Sequence, residues 1–150
     1  IDWVTTPNEE IAAIENTNVK TTAIVNEEFK NVVGDFNPSV SKGTIQLASY
    51  KPNELIYNFN SSKDELVVFS EIWTSKGWTM WIDGNETPLI RADYILRAAV
   101  VPAGNHEIMM RYEPKVWKVG NTIQLVSSLI LILGLLAAIF VTYKKSASKQ

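Results

Sequence analysis

The spacing of apolar residues changes twice along this chain. Over the first twenty residues it is helical: Pro7-Asn8-Glu9-Glu10 leads into Ile-Ala-Ala-Ile, with Asn8 placed to cap and acids in the first turn. Ile11 and Ile14 form one apolar edge, which predicts a short helix on the domain surface. From Lys20 the period becomes two. Residues 21–25 and 29–33 are β-favouring runs, the second closed by Gly34, and 37–43 reads as a loop around Pro38 and Gly43. Strands are then predicted over 44–50, 55–59, 66–73, 78–82, 86–90, 94–101 and 105–112. Asp83-Gly84-Asn85 marks a tight hairpin, because its central residues must tolerate positive φ. Residues 66–73 are apolar on both faces at first, which predicts a strand central in its sheet. Tyr94, Leu96, Ala98 and Val100 share one face of the next-to-last strand, and Arg91, Asp93 and Arg97 share the other. Short strands joined by turns, with no helices between them, predict an antiparallel β-sandwich of roughly seven to nine strands.

The second change comes near the end. Residues 123–143, IQLVSSLILILGLLAAIFVTY, contain no charge and no polar face. At about 1.5 Å per residue they form a helix of roughly 30 Å, the thickness of a bilayer's hydrocarbon core. Trp117 and Lys118 before it, and Tyr143, Lys144 and Lys145 after it, are the residue types that sit where acyl chains end. The tail carries three lysines and no acid, which places it on the cytoplasmic side and the preceding domain outside. The expected organisation is an extracytoplasmic sandwich over 1–119, a transmembrane helix over 120–143 and a basic tail over 144–150. An outside domain needs an export signal, and Ile1-Asp2-Trp3-Val4 has none of its features. Either a signal was removed or earlier spans of a longer membrane protein deliver the domain.

Composition narrows the chemistry. All sixteen acids and eleven of the fourteen basic residues precede the apolar helix, a net of about minus five that disfavours nucleic acid. Zero cysteines exclude disulfides and thiol nucleophiles. The single histidine, His106, has no nucleophile or metal signature beside it, so its expected role is structural, and no metal or cofactor is expected. Asp83, Asp93, Glu71 and Glu86 are the acids that could pair for glycoside chemistry. Trp73, Trp78 and Trp81 crowd into nine residues, an arrangement that either stacks pyranose rings or fills a core; in the second case Trp78 and Ile82 point inward and Trp81 covers a neighbouring strand.

One ordered set of residues carries a resemblance: Ser70-Glu71, Gly77-Trp78, Asp83-Gly84, Arg91, Arg97, Val101-Pro102-Ala103-Gly104, His106, Tyr112, Pro114 and Gly120, followed by the final span. In this order the chain resembles the C-terminal part of the YfhO family of bacterial multi-span membrane proteins. The likeness covers about half the chain, and Trp73-Thr74-Ser75-Lys76-Gly77 lacks the proline that many members place before the glycine. It implies that upstream transmembrane helices of the same protein, together with the lipid bilayer, are the partners of this piece, in the bacterial cytoplasmic membrane. Family members look like glycosyltransferases that use lipid-linked sugars on cell-envelope polymers. Their acidic catalytic residues lie in an early extracytoplasmic loop, so no catalytic position is carried over. The expected function is an accessory, non-catalytic domain and anchor, with Trp73, Trp78, Trp81, Arg91 and Arg97 as candidate glycan contacts. The alternative is a stand-alone anchored module that binds glycan or protein.

Overall fold

The period-two region builds two five-stranded sheets. In chain order the elements are β1 (Asp2–Val4), α1 (Pro7–Asn16), β2 (Ile24–Asn26), α2 (Lys30–Val33), β3 (Thr44–Lys51), β4 (Glu54–Ser61) and β5 (Glu65–Ile72). They continue with β6 (Trp78–Ile82), β7 (Asn85–Thr87), β8 (Ile90–Ala92), β9 (Leu96–Val101), β10 (Gly104–Tyr112) and α3 (Lys115–Ala147). This is a computed structural model that describes residues 1–36 and 43–147. The predicted loop at 37–43 therefore lies almost wholly outside the described residues. The chain divides into the unit Ile1–Glu113 and the unit Pro114–Gln150.

The first sheet has the order β1-β2-β8-β9-β5 and the second β3-β4-β10-β6-β7. Every pairing is antiparallel except β1 with β2. Leu55 and Phe59 of β4, Met80 and Ile82 of β6, and Ile108 and Met110 of β10 meet Val67, Phe69, Ala99 and Val101 of the first sheet in one buried cluster. Each fully buried aliphatic side chain there contributes about 1.5–3 kcal/mol. The sandwich is as expected, and the strands beyond nine come from three-residue segments such as β1, β2 and β8.

Several expectations need correction. The run 29–33 is a 3₁₀ turn (Glu27–Phe29) followed by α2, because Asn26 caps the turn by accepting from the Glu28 N–H. The cap of α1 is Thr6, which forms a reciprocal capping box with Glu9. The strand predicted over 86–90 is broken at Pro88: β7 stays in the second sheet and β8 crosses to the first. The strand β5 is an edge strand, not a central one. Both its faces are apolar because the first sheet is covered twice, by the second sheet and by an N-terminal layer containing Trp3, Phe29 and Val33. The linking residues 116–120 are already helical, being the opening turns of α3.

Candidate functional site

The strand β10 runs the length of the sandwich and defines two ends of different chemistry. At its finish, Tyr112 packs against Trp78 with ring centroids 5.5 Å apart and the planes tilted by 52°, and the Glu113 N–H donates to the Gly77 carbonyl at 2.7 Å. Gly77 has φ +97°, and any side chain there would strike the Tyr112 ring. Trp78 also receives the guanidinium of Arg97, which lies 3.9 Å from its ring centroid and donates from Nε to the Ile72 carbonyl at 2.9 Å. Arg97 is 3% exposed and has no carboxylate within ion-pair distance among the described residues. The polar face read on β9 is thus the face turned into the sandwich.

Arg91 lies directly across from Arg97 in the β8–β9 pairing. It is neutralised separately: Nη2 donates to Glu10 at 3.1 Å, and the guanidinium lies 5.9 Å from Trp73 and 6.0 Å from Tyr94. Glu10 is fully buried and also accepts the Tyr94 N–H at 3.0 Å. That bond holds a turn in which Asp93 and Tyr94 have φ of +48° and +71°, a conformation costly for residues with a side chain. Glu10 was invisible as a site in the sequence, where it read as one of several acids in a first helical turn. Trp73 packs edge-on against Phe29 at 6.0 Å.

The other end is hydrophilic. His106 closes the core there, stacked on Phe59, with Nδ1 2.6 Å from Asp83 Oδ2 and Nε2 3.2 Å from the Ala103 carbonyl oxygen. Asp83 and Gly84, with φ of +49° and +82°, form the predicted two-residue turn, and the second Asp83 oxygen accepts from the Glu107 N–H. Both imidazole nitrogens face acceptors, so the doubly protonated ring satisfies both. The Asp83 hydrogen bond raises the His106 pKa above the ordinary 6.5, and the same bond, with that from Glu107, lowers Asp83 below 3.8. The stabilisation is complete between these values. It is lost as pH rises through the raised histidine value, and again as pH falls through the lowered aspartate value. Urea midpoints of the unaltered chain should therefore drop as pH climbs past 6.5, while those of His106→Asn should not follow.

On the outer face of the second sheet, Asn60 pairs with Asn105, and Asn58 stands opposite Gln46 and Glu107. Asn60 and Asn105 are hydrogen-bonded to each other. With His106 these residues line an open hollow of about 450 Å³. Trp81 is one diagonal step away, beside Met109 and Glu86, about 7–8 Å from Glu107 across the strands. Met80 and Ile82 point into the core, so Trp81 points out.

The candidate residues therefore separate. Trp73, Trp78, Arg91 and Arg97 gather at the end where β10 finishes, and Trp81 stands alone on the outer sheet face. The three tryptophans do not form one platform, because Trp78 and Trp81 alternate across β6. Asp83 and Asp93 lie at opposite ends of the sandwich, since Asp93 is tied to β2 through Ile24. The amide row was legible only as polar positions in alternating strands. Among the described residues no cluster of ligating side chains could hold a metal ion. Lys144 is exposed in α3, and the side chains of Trp117, Lys118, Tyr143 and Lys145 lie outside the described residues.

Within α3, Val119–Phe140 has a mean hydropathy of 2.5 and is long enough to cross a bilayer. By length and composition this helix makes the chain a candidate membrane protein. The family described as bacterial membrane protein YfhO matches residues 11–124, and the chain belongs to that family. It is also similar to the uncharacterized protein YfhO of Bacillus subtilis (strain 168), 29% identical over 84 residues. That match covers 56% of this chain and only 10% of the relative's length. No solved structure matches the chain significantly.

Proposed function

We propose that these residues are the C-terminal extracytoplasmic domain and anchor of a YfhO-like protein of the bacterial cytoplasmic membrane. In this reading the domain is a non-catalytic accessory of a glycosyltransferase that takes sugars from lipid-linked donors and acts on cell-envelope glycans. Upstream spans of the same protein are its partners, and the basic tail faces the cytoplasm. The observation that supports glycan contact is the outward Trp81 on the sheet face that also carries a row of carboxamides. An indole face accepts the apolar C–H side of a pyranose, while planar amides pair with adjacent hydroxyls.

Replacing Trp81 by alanine should weaken binding of envelope oligosaccharides in titration calorimetry, at a stability cost of no more than about 1 kcal/mol for this outward position. Unchanged binding with a large fall in melting temperature would assign Trp81 to packing instead.

A further inference from the structure

The two ends of the sandwich differ in a way the sugar reading does not use. Where β10 finishes, large apolar side chains are left in water: Tyr50 is 67% exposed, Ile72 64% and Ile95 50%, with Tyr94 and Tyr112 also exposed. Backbone pairing brings their chain positions to the same end. The Trp73 N–H donates to the Ile95 carbonyl at 2.8 Å, Ile72 stands opposite Leu96, and the Tyr112 N–H donates to Asn53 in the hairpin that follows Tyr50. The stack from Arg97 through Trp78 to Tyr112 joins the two sheets at this end. At the opposite end the described loops 60–64, 83–86 and 102–106 expose no large apolar side chain, and the exposed ones nearby are Val19 at 45% and Ile45 at 40%.

Two further observations say what covers the apolar end. The chain leaves the sandwich at Glu113, and the span begins at Val119. Only six residues, at most about 20 Å of fully extended chain, connect this end of the sandwich to the span. The opposite end lies the length of β10 away, about 30 Å for nine residues. The turn that presents Tyr94 and Ile95 is also held in its costly left-handed form by the buried Glu10.

We propose that this end of the sandwich is a lipid-facing surface, with Tyr50, Ile72, Tyr94, Ile95 and Tyr112 seated in the headgroup region of the membrane that α3 enters. Tyrosine rings and aliphatic side chains are suited to that zone, apolar at the body and wet at the hydroxyl. The inference rests on membrane anchorage alone and holds whether or not the domain contacts sugar.

Because the chain has no cysteine, single labels can be placed cleanly. The full chain would be reconstituted in vesicles of phosphatidylcholine with a minority of phosphatidylglycerol. An environment-sensitive fluorophore would be attached at Ile72→Cys or Ile95→Cys, and, as controls at the opposite end, at Lys63→Cys or Asn85→Cys. Headgroup spin-labelled lipid should quench the first pair several-fold more than the second, and aqueous iodide should show the reverse order. Equal quenching at both ends overturns the proposal. So does shielding of Ile72→Cys and Ile95→Cys from both quenchers, which would assign the surface to a protein partner or a second copy. Tyr94→Gly should retain cooperative unfolding and yet, combined with Ile72→Cys, show weaker lipid quenching; undiminished quenching would remove Tyr94 from the surface.

Discussion

Glu10→Ala is expected to lower the stability of the sandwich by about 3–5 kcal/mol, read as a shift of the urea midpoint with the slope unchanged. The carboxylate has no exposure to solvent, and its two oxygens are used, one by Arg91 Nη2 and one by the Tyr94 N–H. Arg91 Nε is already buried without a partner, so removing Glu10 leaves the cation with only the more distant Glu28 at 3.6 Å. It also frees a turn whose backbone is strained at two successive residues. For a domain whose total stability is about 5–15 kcal/mol, this loss is a substantial share of the margin. Glu10→Gln keeps an acceptor for Tyr94 and should cost less. A loss below about 1 kcal/mol in the alanine variant, the range of exposed ion pairs, would show that the clamp is solvated in solution.

The second large effect is expected at Arg97. Its guanidinium is held by a ring face and a carbonyl rather than by a carboxylate, and burial lowers its pKa from the ordinary arginine value, offset in part by the fields of Glu71 and Tyr57. A desolvated cation–π contact and a charge-assisted hydrogen bond together give about 3 kcal/mol for Arg97→Ala. Arg97→Lys should recover less than half of that, because an ammonium cannot lie flat on the indole while its stem donates sideways to Ile72. Thermal unfolding followed by the near-ultraviolet signal of the aromatic residues reads both changes. Full recovery by lysine would mean that charge alone matters at this position.

Much of the sandwich was legible because alternation in 55–59, 78–82 and 105–112 survives in the strands, and because Asp83-Gly84 leaves a hairpin few other choices. What misled were places where tertiary packing overrides local pattern. The double apolar face of β5 signalled burial, and burial came from a layer of N-terminal residues rather than from flanking strands. Phe29 to Val33 has β-favouring side chains, yet the Asn26 cap and the need to seat Phe29 and Val33 on the first sheet curl it into helical turns. At the candidate site, residue type identified Trp81 but could not assign it to a face without the β6 register. The amide row and Glu10 gave no signal, since asparagines in strands and acids in a first helical turn are commonplace. The long apolar helix was legible, because an uncharged run of this length has no polar face to turn toward water.

The clamp from Glu10 to Arg91 and Tyr94 also sets a timetable. Its partners are 81 and 84 positions apart in sequence. A chain emerging from the ribosome therefore holds α1 ready long before its docking strand exists. Contacts this distant form late and slowly. The turn bearing Tyr94 should thus be among the last parts of the module to set, when the segment that follows it is already entering the membrane.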